Sequence, residues 1–277
     1  MSRRILTIIA VTLLAVPGPV AGAAERQSVD LELALAVDVS SSIDQDEAQL
    51  QRQGYVAALR HPDVIHAIES GMLGRIAVTY YEWAGDGHLR VVADWTVIDG
   101  AGSASAFADK IAAAPVWMAP RTSIAAAIDH AIEAFARNEF EGARRVIDIS
   151  GDGPSNGLYE VTAARDRATY RGITINGLPV ANGRADANGN LPLPDLDLYY
   201  RDCVVGGFGA FVVVANSFEE FGQAIRRKLV SEIAGRTPSA DPRIMPAAPS
   251  NDPRIMPAAL SRICDFGLVS WQENFVQ

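Results

Sequence analysis

The stretch Leu31-Glu-Leu-Ala-Leu-Ala-Val-Asp38-Val-Ser40-Ser-Ser42 decides the fold that we predict for this chain. Its first seven residues are mostly apolar, which is typical of a short buried strand, and the apolar run ends at Asp38. Directly after it, Ser42-Ile43-Asp44-Gln45 fits a capping box and predicts a helix that runs to about residue 60. A buried strand followed at once by a helix indicates the first unit of an α/β fold.

Strands and helices continue to alternate along the rest of the chain. The apolar patterns predict strands at 75–81, 89–95, 145–149, 173–178 and 210–215, and the longer helices at 123–137, 158–170 and 218–233. The order predicts a doubly wound α/β fold: a mostly parallel sheet with one antiparallel edge strand, residues 89–95, and helices on both faces. In such sheets ligands bind at the carboxyl ends of the strands.

The first residues have the pattern of a secretory signal peptide. Arg3 and Arg4 precede an apolar run over residues 5–16, and Ala21-Gly22-Ala23 is a small-x-small cleavage site. A membrane anchor is the alternative, but the run is shorter than the roughly 20 residues that a span needs. We therefore predict a signal peptide at 1–23, and a mature chain that has no transmembrane segment and is periplasmic or secreted.

Composition and repeats predict the remaining organisation. The chain has 277 residues, 49% of them hydrophobic, so residues 29–235 can form one large α/β domain. The net charge of −9 argues against a nucleic-acid partner, which would need concentrated Lys and Arg. Residues 241–248, Asp-Pro-Arg-Ile-Met-Pro-Ala-Ala, recur unchanged at 252–259, within a predicted Pro-rich linker at 236–262.

Two features near the carboxyl end keep open alternatives. The repeat is either a duplication in a tolerant tail or a bivalent docking peptide, and the segment 263–277 is apolar enough to pack on the domain or bind a partner. Cys203 and Cys264 could form a disulfide in an oxidising compartment, but the sequence does not show that they approach each other. They do not form a zinc site, because no CxxC pair or His cluster accompanies them.

Three short loops carry oxygen-bearing side chains. The first is Asp38-Val39-Ser40-Ser41-Ser42, the second is Arg121-Thr122-Ser123 before a helix, and the third is Gly151-Asp152-Gly153 after a strand. All three lie on the same predicted edge of the sheet. Their carboxylates and hydroxyls are the ligands that Mg²⁺ prefers, as do Ca²⁺ and Mn²⁺. Each motif also has an ordinary interpretation, since Ser42, Thr122 or Ser123 could be helix caps and Asp152-Gly153 a turn.

Taken together, the three loops resemble the metal-ion-dependent adhesion site of von Willebrand factor type A domains. The resemblance covers about residues 30–235 and matches Asp38, Ser40, Ser42, Thr122 and Asp152 to the five conserved positions of that site. It implies that the two serines and the threonine bind the cation directly, and that one or both aspartates act through water. One departure concerns Asp152, because Ser150-Gly151 separates it from the strand where a hydroxyl residue normally adjoins it. The chain is also similar to a group of exported bacterial proteins of unknown function.

The resemblance implies a binding module in which Mg²⁺, Mn²⁺ or Ca²⁺ takes an Asp or Glu carboxylate from a protein partner. Tyr81, Trp83, Trp117 and Met118 are candidates for a rim that excludes water from that contact, with ordinary packing as the alternative. A metal-dependent hydrolase and a metal-free scaffold are the rival functions. We expect no enzyme, because the sequence has no G-x-S-x-G, HExxH or glycine-rich phosphate loop and its four histidines are scattered.

Overall fold

The central feature of the molecule is a twisted sheet that positions three polar loops at one edge. The computed structural model describes residues 26–183, 193–236, 244–247 and 264. The predicted signal peptide, the second copy of the repeat and nearly all of the segment 263–277 lie outside these residues. Within them, no helix is long and apolar enough to cross a membrane.

The elements follow one another in the alternating order that the sequence predicts. The strands are β1 Gln27–Val29, β2 Leu31–Asp38, β3 Ile76–Trp83, β4 Leu89–Ile98, β5 Phe140–Gly142, β6 Arg145–Gly151, β7 Ile173–Pro179, β8 Phe211–Val213 and β9 Ile244–Pro246. The helices are α1 Gln45–Leu59, α2 Pro62–Glu69, α3 Ala101–Ala113, α4 Ile124–Arg137, α5 Val161–Tyr170, α6 Leu196–Tyr199 and α7 Phe218–Ala234, and a π-helical turn follows α6 at Tyr200–Val204.

The main sheet has the order β4-β3-β2-β6-β7-β8-β9. Its five central strands are parallel, which confirms the predicted doubly wound fold. β4 is the predicted antiparallel edge strand, but β9 is a second one at the opposite edge. β9 comes from the first copy of the repeat, in the segment predicted to be a linker. Ile244 is buried against the core there, and Pro246, which has no N–H, is tolerated because the strand is at an edge.

β2 is buried on both faces, which explains its nearly continuous apolar run. Leu31, Leu33, Leu35 and Val37 face a core that α1, α2, α3 and α7 cover. Ala34 and Ala36 face the opposite core, which α4, α5 and the π-helical turn cover. Because side chains alternate along a strand, Asp38 continues the alanine row. The first site residue therefore lies on the α4 side of the sheet, at the end of β2.

The structure corrects two predictions about the helices. α1 is capped by Asp44, whose carboxylate accepts from Glu47 N at 2.8 Å, while Glu47 Oε2 accepts from Asp44 N at 3.1 Å. The capping box is thus two residues later than predicted, because Asp44 and Glu47 also have the required spacing. α2 was not predicted, although Pro62 at its first position and His61 at its cap are normal start signals.

Cys203 and Cys264 are joined by a disulfide across a sequence separation of 61 residues. Cys203 belongs to the π-helical turn, and both cysteines are buried in the core on the α4 side. The disulfide therefore attaches residue 264 to the same face of the sheet that carries Asp38.

Candidate metal centre

Backbone hydrogen bonds bring the three predicted loops together at the carboxyl edge of the sheet. The loop after β2 is joined to the segment before Thr122, since Ser41 N donates to Ala119 O at 3.0 Å and Ala119 N donates to Val39 O at 3.2 Å. That segment is in turn joined to the loop after β6, because Asn156 N donates to Thr122 O at 2.7 Å. The fold thus places all three loops in one connected surface.

Four of the five predicted ligands are linked by short contacts. Ser40 N donates to Asp38 Oδ1 at 2.8 Å, and the hydroxyls of Ser40 and Ser42 lie 3.1 Å apart. Ser42 Oγ donates to Asp152 Oδ1 at 2.8 Å, across a sequence separation of 110 residues. Because Asp44 caps α1, Ser42 is not needed as a helix cap, and its hydroxyl points into this cluster instead.

Thr122, the fifth predicted ligand, is buried and is held at the site by its backbone. Its N–H donates to Asn156 Oδ1 at 2.7 Å, and its carbonyl accepts from Asn156 N and from Ser155 Oγ. The residue before it, Arg121, has a φ of 68°. The cap of α4 is Ser123, whose hydroxyl accepts from Ala126 N and donates to Asp86 Oδ1. Thr122 is therefore not a cap either.

Asp38 is a fully buried carboxylate in an unfavourable electrostatic environment. Burial, and then the nearby charge of Asp152, raise its pKa well above the ordinary value, while hydrogen bonds from Ser40 act in the opposite direction. Asp38 Oδ2 is buried and has no hydrogen-bond partner in the described part of the chain. A divalent cation between the two carboxylates would offset both the burial and the repulsion.

The donor set fits a hard divalent cation. The described residues include no cluster of three or more His, Cys, Asp or Glu side chains that could hold a metal, so hydroxyl oxygens must complete any site. Asp38, Asp152 and the hydroxyls of Ser40, Ser42 and Thr122 would provide oxygen alone. Oxygen ligands suit Mg²⁺, Ca²⁺ and Mn²⁺ better than ions that prefer sulfur or nitrogen.

The predicted aromatic rim is partly wrong. Tyr81 and Trp83 lie in the core, where Tyr81 Oη donates to Ala127 O at 2.8 Å, because β3 is buried on both faces. Met118 is 43% exposed. Leu158 and Tyr159, which are 55% and 60% exposed, lie beside the Thr122 loop, because Leu158 N and Ser123 Oγ both donate to the carboxylate of Asp86. We call Met118, Leu158 and Tyr159 the apolar rim. Leu158 and Tyr159 were not candidates from the sequence, because the helix predicted at 158–170 includes them, whereas α5 begins at Val161.

A buried ionic cluster supports the segment before Thr122. The Glu82 carboxylate on β3 accepts from Arg52 of α1 and from Arg90 of β4, the latter at 2.7 Å. Both guanidinium groups also donate to backbone carbonyls of the segment that follows α3 and leads to Thr122. Arg52 donates to Ala114 O, and Arg90 donates to Pro115 O. Arg90 lies over the ring of Trp117, 5.4 Å from its centroid. Sequence patterns gave no signal for this cluster, because its members come from three separate elements.

Comparisons with known proteins agree with this fold. The model of the family described as "Protein of unknown function (DUF1194)" matches residues 28–237. No curated protein matches the chain. Among solved structures, a mussel byssus protein, proximal thread matrix protein 1 with a zinc-occupied MIDAS motif, is 16% identical with a TM-score of 0.54, over 76% of this chain and 49% of that one.

Two bacterial structures are similar to a comparable degree. A von Willebrand factor type A protein from Catenulispora acidiphila is 13% identical with a TM-score of 0.50, covering 79% of this chain and 54% of that one. The pilus adhesin SpaC from Lactobacillus rhamnosus GG is 12% identical with a TM-score of 0.53, covering 76% and 31%. The chain thus spans about half or less of the length of these proteins. At such identities the likeness shows the fold, and it confirms the von Willebrand factor type A-like architecture.

Proposed function

The chain belongs to the DUF1194 family, whose model matches residues 28–237. From the candidate site we propose that it is an exported, divalent-cation-dependent protein-binding module. The observation that carries the proposal is the contact series from Asp152 through Ser42 and Ser40 to Asp38, whose Oδ2 is buried without a hydrogen-bond partner among the described residues. The series links four oxygen-bearing residues at the carboxyl edge of the sheet, and this supports a cation site there.

Mg²⁺ is the cation that we propose, with Mn²⁺ and Ca²⁺ as substitutes. Asp38, Ser40, Ser42, Thr122 and Asp152 would hold it, and it would supply a positive charge that a partner's Asp or Glu carboxylate can bind. The zinc-occupied MIDAS motif of the mussel protein supports a divalent ion at the corresponding place. The apolar rim would shield the contact from water, which strengthens a charge-assisted interaction.

Binding is better supported than catalysis. A serine nucleophile needs a base within hydrogen-bonding reach, but His61 caps α2 and His130 packs on the ring of Tyr81. The hydroxyls of Ser40 and Ser42 contact each other and Asp152 instead. Among the similar structures, one is a pilus adhesin and another is a byssus matrix protein, which supports a binding role.

The proposed location is the periplasm or the cell exterior. The pattern of residues 1–23 supports export, and so does the disulfide between Cys203 and Cys264, since disulfides persist in oxidising compartments.

The test is a thermal-melt titration of the mature protein with Mg²⁺, Mn²⁺ and Ca²⁺. An ion at about 100 times its Kd should stabilise the native state by about 2.7 kcal/mol. Asp38→Ala should abolish the shift, whereas Asp109→Ala, which removes an exposed carboxylate on α3, should keep it. A wild-type protein without any ion-dependent shift contradicts the proposal, and a shift that persists in Asp38→Ala places the ion elsewhere.

A second experiment separates the partner contact from the cation. Variants Met118→Ser and Tyr159→Ser change the apolar rim without touching an oxygen ligand, so the ion-dependent shift should remain. Capture of a partner should weaken in both variants and stop when the cation is chelated. Unchanged capture in both rim variants would contradict the role of the rim.

A further inference from the structure

Tyr200 is a buried residue beside the candidate metal centre that sequence patterns did not single out. Its hydroxyl is buried and has no hydrogen-bond partner in the described part of the chain, as is also true of Asp38 Oδ2. Buried polar groups in native proteins are nearly always paired, so two such atoms in one place need an explanation. Burial, and then the charge of Asp38, raise the pKa of the Tyr200 hydroxyl well above its ordinary value.

Two glycines create the space that Tyr200 occupies. On β7, a Cβ at Gly177 would lie 2.8 Å from Cδ1 of the Tyr200 ring. On the neighbouring β6, a Cβ at Gly151 would lie 2.8 Å from Tyr200 Oη and 2.8 Å from Asp38 Oδ2. A real Cβ does not tolerate contacts this short. Gly177 therefore admits the ring and Gly151 admits both oxygens, so the tyrosine lies across the two strands with its hydroxyl at the site.

The Gly151 geometry also limits the separation of the two oxygens. They can be at most twice 2.8 Å apart, yet they do not hydrogen-bond directly. An O–H···O hydrogen bond spans about 2.7–2.8 Å, so two such bonds through one water molecule can span any separation up to this limit. One water beside Gly151 is therefore enough to join the two oxygens.

The backbone around Tyr200 holds it in this position. Tyr200 begins a π-helical turn, in which Val205 N donates to Tyr200 O at 2.9 Å. Single π-helical turns are frequent at functional sites. Within the same turn, Cys203 is fixed by its disulfide to Cys264, and the Cys203 and Asp202 carbonyls accept from Arg165.

We propose that Tyr200 is a positioning residue of the cation site: its hydroxyl donates to a water that also hydrogen-bonds Asp38 Oδ2, and Gly151 supplies the space for this arrangement. This inference rests on the proposed function, since it assigns Tyr200 to the same site. The phenol holds this water in place, and the water supplies the hydrogen bond that Asp38 Oδ2 otherwise lacks and so orients the buried carboxylate. It also explains why glycine stands at the residue before Asp152.

The test compares Mg²⁺ affinity in wild-type protein, Tyr200→Phe and Tyr80→Phe. Tyr80 is the control, because it is also a fully buried tyrosine but packs in the opposite core. Without the hydroxyl, the water that hydrogen-bonds the charged Asp38 loses its support, so Tyr200→Phe should raise the Kd about tenfold, whereas Tyr80→Phe should leave it unchanged. Equal Kd values in wild type and Tyr200→Phe would overturn the inference.

A spectroscopic readout excludes a merely structural role. Adding Mg²⁺ should produce a tyrosine ultraviolet difference spectrum in wild type and Tyr80→Phe, and that signal should disappear in Tyr200→Phe. If the signal persists there, it comes from another tyrosine and the inference fails. A wild type that binds no cation defeats the proposed function itself, whereas a wild type that binds with Asp38-dependent affinity but ignores Tyr200→Phe defeats only this inference.

A double-variant cycle tests the shared space at Gly151. Gly151→Ala should lower the melting temperature of the cation-free protein, because its Cβ meets both oxygens. The same change should lower it less in the Tyr200→Phe background, where one of the two oxygens is gone. Equal losses in both backgrounds would contradict the placement of the hydroxyl against Gly151.

Discussion

At the residue scale, Asp38 shows the cost that the proposed cation site would impose on the cation-free protein. A carboxylate that is fully buried and close to a second carboxylate destabilises the fold, as the raised pKa of Asp38 indicates. Asp38 Oδ1 accepts from the N–H of Ser40, whereas Oδ2 has no hydrogen-bond partner among the described residues. The remaining oxygen is of use only when a cation or an oriented water is present.

We therefore predict that Asp38→Asn stabilises the cation-free protein by about 1–2 kcal/mol while it removes the Mg²⁺-dependent shift. The amide keeps an oxygen for Ser40 N and removes the repulsion from Asp152. Chemical denaturation with chelator, and then with Mg²⁺, measures both effects.

Asp148→Asn is the control, because Asp148 Oδ2 lies 2.7 Å from Nζ of Lys228 and both side chains are buried. Removing the carboxylate charge leaves the buried ammonium group of Lys228 with less compensating negative charge. That variant should be destabilised. An Asp38→Asn protein that is also destabilised without cation would show that Asp38 has a structural role instead.

A second residue-scale prediction concerns Glu232 on α7. Burial, and then the charge of Asp148, raise its pKa to about 8, although Lys228 lies 2.7 Å from its carboxylate and Asn176 donates to it. Between pH 4.5 and about pH 8, Glu232 is thus protonated in the folded state, whereas in the unfolded state it releases its proton near the ordinary pKa of 4.5. The contribution of this proton to the free energy of unfolding is complete below pH 4.5 and is lost as the pH rises toward 8.

Glu232→Gln should remove this pH dependence. The free energy of unfolding of the variant, relative to wild type, should increase steadily between pH 5 and pH 8, which denaturation at several pH values measures. Glu133→Gln, at an exposed pair with Arg137, should show no such trend. A relative stability of Glu232→Gln that is constant over this range contradicts the assignment.

At the scale of elements, the start of α1 separates a helix cap from a cation ligand. Asp44→Ala removes one half of the capping box and should cost about 1 kcal/mol of stability without changing the Mg²⁺ Kd. Ser42→Ala leaves the cap intact but removes the contacts with Ser40 and Asp152, so it should weaken Mg²⁺ binding. Denaturation and melt titration of the two variants measure this. Identical effects of both changes on the Mg²⁺ Kd would mean that Ser42 affects cation binding only through the start of α1.

The elements also show which features the sequence could predict. The buried strands and α4 were predictable because their apolar residues recur at a strand or helix period. β9 was not, since three residues that include a proline become a strand only when β8 lies beside them. The rim residues Leu158 and Tyr159 were missed for a related reason: α5 has no side-chain cap that marks its start at Val161.

For the site, the strand order made it predictable that the two aspartates lie close together. Parallel strands end at one edge, so Asp38 after β2 and Asp152 after β6 had to be near each other. The structure shows the contact between Ser42 and Asp152, while cation binding itself stays a prediction. Tyr200, Arg52 and Glu82 could not be found in this way. Their roles depend on which side chains the folded sheet places together, and neither periodicity nor a local motif encodes that arrangement.

At the scale of the whole molecule, the disulfide connects global stability to the site. It closes a loop across a separation of 61 residues, so removing it should lower the free energy of unfolding by about 3–4 kcal/mol. We expect this for the double variant Cys203→Ser, Cys264→Ser, measured by denaturation. Reductant should destabilise the wild type to a similar degree and leave the double variant unchanged, which controls for the serine substitutions.

The same double variant should also bind Mg²⁺ more weakly, because Cys203 lies in the π-helical turn that begins with Tyr200. Loosening that turn lets the phenol move away from Gly151 and Asp38. The affinity loss should therefore vanish when Tyr200→Phe is already present, since the hydroxyl whose position the disulfide fixes is then absent. If removing the disulfide lowers the Mg²⁺ affinity equally in both backgrounds, its effect reaches the site by another route, and the turn does not act through Tyr200.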